Sequence, residues 1–114
     1  MKSDEEPSVR VPESDVNRFV TQSFENASVA PSVADLTSDG LVSASMRGVD
    51  SHGIRLLPHY LKELESGRIN PEPDFEFERT APATGKFDAD DTYGIAAGMR
   101  AMERAMDLAE DAGA

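Results

Sequence analysis

The chain reads as an α/β sequence, α+β in the stretch at hand: three helical segments, then a short antiparallel strand pair and a long closing helix. Three observations carry that reading. Apolar residues recur at helical spacing between Val16 and Leu64, the period changes to two at Phe75 and Phe77, and helical spacing returns from Ile95 to Ala109.

Met1 to Val11 is polar and aperiodic and holds Pro7, which reads as a flexible lead; alternation of Val9 and Val11 also allows a short strand. Pro12-Glu13-Ser14 resembles a helix start, and Val16, Phe19, Val20, Ser23 and Phe24 follow helical spacing to an end near Asn26. Val29 to Ser32 is a loop, with Pro31 suited to the first turn of a second helix. Its apolar positions are Val33, Leu36, Leu41, Val42 and Met46. Gly40 inside it costs about 1 kcal/mol relative to Ala, which implies close packing against that point. The third helix follows Ile54, Leu57, Leu61 and Leu64 and closes at Ser66-Gly67. Pro58 requires either a start close to Arg55 or a kink. Arg68 to Pro73 is extended, because residues before proline avoid helical geometry.

Phe75 and Phe77 then alternate with Glu76 and Glu78 as a half-buried strand. Ala81-Pro82 breaks it, Thr84 to Asp88 forms its hairpin partner, and Asp88-Ala89-Asp90-Asp91 is a turn. The last helix puts Ile95, Met99, Met102, Met106 and Ala109 on one face and Arg100, Glu103, Arg104 and Asp107 on the other. Its Met and Ala content implies packing against another layer rather than a cofactor box. A glycine cap at Asp111-Ala112-Gly113-Ala114 suggests that a further element follows.

Length allows one small domain, and 39% apolar content with neither Trp nor Cys makes a self-sufficient core marginal. The expectation is an oligomer or part of something larger. A net charge of −11 with 22 acidic residues leaves no basic stripe for nucleic acid or anionic membrane. The acidity is spread along the chain, as in the hydrated surfaces of halophilic proteins. No apolar run approaches a membrane span and Lys2 to Glu6 is unlike a signal, so the default compartment is the cytoplasm.

The chemistry concentrates in Arg47-Gly48-Val49-Asp50-Ser51-His52-Gly53 and the run that follows it. The turn is expected to open a helix, whose positive end keeps an imidazole largely neutral and ready to exchange a proton. His52 is either a general acid/base or a structural histidine bonded to backbone. Ser51 is expected to cap the helix, with a second role in holding the imidazole. Gly48 and Gly53 would let the backbone approach a ligand. Arg55, one turn from His52, is placed to hold a substrate carboxylate through paired hydrogen bonds, and Arg47 is the second substrate-side arginine. His52 and His59 are seven residues apart, unlike metal ligands three or four apart on a helix, so no metal is expected. No Gly-x-Gly-x-x-Gly follows a strand, so the ordinary dinucleotide fingerprint is missing.

Arg47-Gly48-Val49-Asp50-Ser51-His52-Gly53, with Leu57-Pro58-His59-Tyr60, Gly67-Arg68-Ile69-Asn70-Pro71, Gly94 and Gly98, resembles the N-terminal third of the malate/L-lactate dehydrogenase family of the second type. That family differs in fold from the ordinary lactate and malate dehydrogenases. It includes ureidoglycolate, sulfolactate and diketogulonate oxidoreductases and imine reductases. The resemblance implies reversible hydride transfer between NAD or NADP and a 2-hydroxy or 2-oxo acid. It implies His52 as proton donor and acceptor with Ser51 beside it, a homodimer, and a nicotinamide site of non-Rossmann type; no residue here is assigned to the cofactor. It divides the chain into a lead (1–11), a helical substrate-side segment (12–70) and the truncated start of a central nicotinamide-binding α/β domain (71–114).

Three departures stand out. Leu56 occupies the position of the family arginine and Arg55 lies one earlier, about 100° around a helix. Asp91-Thr92 replaces a frequent Asn-Gly, implying a less tight turn. Family chains are roughly three times longer, so the reading is of a fragment without most of its nicotinamide site.

Overall fold

The computed structural model describes residues 9–113. It contains four helices and one two-stranded antiparallel sheet, in the order α1 (Glu13–Asn26), α2 (Pro31–Met46), α3 (Leu57–Glu65), β1 (Glu76–Ala81), β2 (Thr84–Asp88) and α4 (Gly94–Ala112). The α/β class and the order of elements agree with the periodicities. Most of the expected lead lies outside the described residues; Val9 to Val11 is exposed and forms no strand.

Pro12 fixes the entry to α1, and Glu13 and Asp15 place negative charge at its positive end. The helix stops at Ala27, after which Ser28 takes a left-handed conformation and Val29 N donates to Phe24 O. Val20 and Phe24 face inward, whereas Phe19 is exposed, contrary to the reading that gave it a core position. It lies off the narrow stripe that α1 presents to α2.

Pro31 opens α2, where its missing N–H has no intrahelical partner to lose. This helix buries Val33, Ala34, Thr37, Ser38, Leu41 and Val42 between α1 and α4. Gly40 is where α4 comes closest: a Cβ there would collide with Ile95 Cγ2. The packing read from that glycine is thus supplied by Ile95. Met46 is exposed rather than buried.

Pro58 sits in the first turn of α3, so the helix starts at Leu57 without a kink. It ends at Ser66, and Gly67 adopts φ +87°. The stretch that follows, read as extended, instead bends at Ile69 and at Pro71-Glu72, and it is tied to the loop before α4: Asn70 N donates to Asp91 O at 2.9 Å, and Asp90 Oδ2 accepts from Asn70 Nδ2 and Asp74 N. Asp90 and Asp91 both have positive φ, and Thr92 N donates to Ala89 O, which makes a type I′ turn. The departure from Asn-Gly therefore leaves this turn tight, since aspartate also tolerates left-handed geometry.

In the hairpin Glu76 pairs with Asp88, Phe77 with Phe87 and Glu78 with Lys86, and a bulge falls between Arg79 and Ala81. Phe75 and Phe87 pack with ring centroids 5.3 Å apart. α4 begins in the core, with Ala96 buried and Ile95 on α2, and then runs out along the hairpin to a left-handed Gly113. The molecule is elongated, 55 × 31 × 25 Å, and its radius of gyration of 16.8 Å exceeds the roughly 13 Å of a compact chain this long. That shape explains a correction. Met102 and Met106 are 60% and 56% exposed, so the layer expected against the Met face of α4 is not present among the described residues. No described helix is long and apolar enough to cross a membrane.

Candidate functional site

The segment between α2 and α3 is built from backbone breaks. Arg47 caps α2 and Gly48 turns the chain with φ +78°. Two three-residue 3-10 turns follow, Asp50–His52 and Ile54–Leu56, separated by an extended Gly53. Val49 N donates to Ala44 O, and Ile54 N donates to Ser45 Oγ, both at 2.9 Å. His52 is therefore carried on a short loop tied at both ends to the last turn of α2.

This geometry corrects the helix-start reading. His52 lies five residues before Leu57 and across a break, outside the first turn where a helix dipole acts. The same break puts His52 and His59 on different elements, and Arg55 is not one helical turn from His52. Ile54, read as part of the apolar stripe of α3, is 38% exposed. Ser51 caps no helix: neither α3 nor the 3-10 turns have a side-chain cap. Its hydroxyl instead meets His52 Nδ1 at 2.9 Å, which is the second role anticipated for it. Gly53 makes its close approach to Ser45 and not to an open ligand space, while Gly48 faces no neighbour within 4 Å.

The imidazole is exposed, one nitrogen is engaged by Ser51, and Nε2 has no hydrogen-bond partner among the described residues. Arg47, at the end of α2, and Arg55, in the second 3-10 turn, precede and follow it in the chain, and both are exposed. Ion pairs engage Arg18, Arg68, Arg79 and Arg100, and Arg104 lies over the Phe77 ring. Arg47 and Arg55 have no carboxylate within 4 Å among the described residues, despite the acidity of the chain. Nor do these residues contain a group of three His, Cys, Asp or Glu able to hold a metal. His59 is exposed on α3, its ring edge-on to Tyr60.

Behind the loop, α3 is anchored by an aromatic junction that periodicity alone did not reveal. Tyr60 and Tyr93 stack at 5.0 Å, Phe24 packs 5.4 Å from Tyr93, and Tyr93 Oη donates to Tyr60 O at 2.7 Å. Burial pushes the Tyr93 hydroxyl up to about 12, with the nearby Tyr60 phenol and Glu63 carboxylate adding to the shift. Ser45 was also missed, because a serine in the last turn of a helix carries no periodic signal.

The model of malate/L-lactate dehydrogenases matches residues 11–114. The chain belongs to that family. L-sulfolactate dehydrogenase of Methanocaldococcus jannaschii is 40% identical over 80 residues, which is 70% of this chain and 23% of that protein. Malate dehydrogenase of Pyrococcus horikoshii is 32% identical over 105 residues, covering 92% of this chain and 29% of the relative. Its solved structure superimposes with a TM-score of 0.85 over 90% of this chain and 30% of its own. Ureidoglycolate dehydrogenase (NAD(+)) of Escherichia coli is 34% identical over 80 residues, 70% of this chain and 23% of that protein. The chain spans less than a third of these relatives.

A dinucleotide does not fit the described residues alone. At their one strand-to-helix junction, between β2 and α4, the loop presents Asp90 and Asp91, whose charge opposes a pyrophosphate.

Proposed function

We propose that this chain supplies the proton-transfer side of an oxidoreductase that moves a hydride between NAD or NADP and a 2-hydroxy or 2-oxo acid such as malate or lactate. The observation that carries the reading is the His52 ring, engaged at Nδ1 by Ser51 and open at Nε2. For Nε2 to accept a proton from a substrate hydroxyl, the ring's own proton must sit on Nδ1, and Ser51 Oγ then accepts that N–H. In the reverse direction the imidazolium keeps the same bond and donates from Nε2 to the developing oxyanion. Ser51 thus suits both states. Arg47 and Arg55, in no ion pair with the described residues, are the groups proposed to hold the substrate carboxylate.

The names of the relatives support the reaction class, and one of them names NAD(+). Residues 12–70 are proposed as the substrate side and 71–114 as the start of the cofactor domain. The exposed Met102 and Met106 fit coverage by further chain or by the second subunit of a homodimer, and a cytoplasmic enzyme is the proposed setting. The same exposed face favours a second reading, an inactive partner for an intact subunit.

The test places residues 11–114 in the corresponding part of the P. horikoshii malate dehydrogenase and measures oxo-acid-dependent NADH oxidation. His52→Ala is expected to lower turnover by about 10²-fold or more; near-normal turnover would falsify the assignment. The chain alone, mixed with NADH and a 2-oxo acid, distinguishes a self-sufficient enzyme from an inactive partner.

A further inference from the structure

We infer that Ser45 is a positioning residue for His52, acting through a backbone latch on the loop that carries the ring. Upstream of His52 the loop is held by Val49 N donating to Ala44 O. Downstream it is held by Ile54 N donating to Ser45 Oγ at 2.9 Å. The remaining bonds around the ring, His52 N to Val49 O and Gly53 N to Asp50 O, are internal to the loop and cannot set its attitude to α2.

Gly53 is the complement of Ser45. Its φ of −100° is open to any residue, so conformation does not require glycine here. Space does. A Cβ would collide with Ser45 Oγ and lie 3.1 Å from both Cα and Cβ of Ser45. The hydroxyl and the missing side chain together let the loop lie against the last turn of α2, and they fix the backbone immediately after the imidazole. Asp50, Ser51 and His52 are all exposed, and the buried point of this stretch is Gly53 itself, at its contact with Ser45. Ser45 touches neither ring nor substrate and acts through the Ile54 amide and the Gly53 backbone. Its importance to chemistry rests on the proposed role of His52; the latch itself does not.

The test is nuclear magnetic resonance on the full chain, in which His59 on α3 is an internal control for His52. In Ser45→Ala, the His52 ring nitrogen and carbon resonances are expected to shift while those of His59 and the β1–β2 hairpin stay in place. Exchange of the Ile54 amide should quicken about fivefold, as expected for loss of one hydrogen bond. Ser45→Thr keeps a hydroxyl and should restore both. Gly53→Ala attacks the same contact from the loop side and is expected to move His52 more in the natural background than beside Ser45→Ala, where part of the collision is gone; this pair covers the case in which Ser45→Ala does not fold. Unmoved His52 signals, equal movement of His59, or additive effects of the two substitutions would each overturn the latch. Failure of His52→Ala to affect turnover would overturn the proposed reaction and leave the latch standing.

Discussion

The junction of Phe24, Tyr60 and Tyr93 and the loop from Asp50 to Leu56 meet through α3, which carries Tyr60 and begins where the loop ends, yet they are held by different forces. The junction joins α1, α3 and the start of α4 through stacked rings, and Phe24 and Tyr93 are almost wholly buried. The loop leaves Asp50, Ser51 and His52 exposed and buries only Gly53, against Ser45, with Leu56 half-buried where α3 begins; hydrogen bonds to the end of α2 hold the rest. Stability therefore resides in the platform, and the proposed chemistry in the attachment. Local opening of the loop costs far less than opening of the junction, as is usual for segments that meet a ligand.

The strongest way to break the comparison is to hollow out the junction. Phe24→Ala removes a ring with no solvent exposure and leaves two tyrosines facing a void, so a loss of about 3–5 kcal/mol is expected. For a marginal domain of this size that is most of its stability. Denaturant unfolding of the purified chain measures it. A loss below about 1 kcal/mol would mean that the rings repack freely and that the junction is no firmer than the loop.

A subtler probe removes one oxygen. Tyr93→Phe keeps the ring stack but deletes the donor to Tyr60 O, at an expected cost of about 1 kcal/mol near neutral pH. The same oxygen gives the junction a pH signature. Its pKa in the folded chain is raised to about 12 from 10.0, chiefly by burial, so the folded state holds that proton more tightly than the unfolded chain. Stability from this group is complete below pH 10 and is lost as pH rises towards 12. Tyr93→Phe should flatten the alkaline decline without abolishing it, because the Tyr60 hydroxyl is raised as well, by burial. An unchanged alkaline limb in thermal melts would sink the account.

How much of this was legible in the sequence follows from the same contrast. Where one face of an element is buried, spacing betrays it: the bounds of α1 were readable from Val20 and Phe24, and the hairpin from Phe75 and Phe77 followed by the break at Ala81-Pro82. Gly40 announced a close neighbour, and Ile95 is that neighbour. The misreadings fall where an apolar residue lacks a partner among the described residues. Phe19, Met46, Met102 and Met106 repeat at helical spacing whether or not a second layer covers them. In the loop, the residue types that promise chemistry were visible, but their arrangement was not. Two 3-10 turns split by an extended Gly53 leave no periodic trace, so Ser51 was read as a cap and Arg55 as one turn from His52. Tyr60 and Tyr93 are far apart in sequence, and nothing local says that their rings stack.

The finest test leaves the platform intact and strips the loop. Alanine at Ser51 and His52 together removes two exposed side chains whose one recorded hydrogen bond is to each other. No buried surface is lost and no buried polar group is left unpaired, because the bond vanishes with both partners. The expected change in unfolding free energy is therefore within about 0.5 kcal/mol, as for surface positions generally. Urea titration of the double variant against the natural chain reads this directly. A cost of 2 kcal/mol or more would place the imidazole inside the cooperative core, as a structural histidine. A null result in stability, paired with a large loss of turnover in the chimera, is the pattern expected of a proton-transfer group mounted on a scaffold that does not need it to fold.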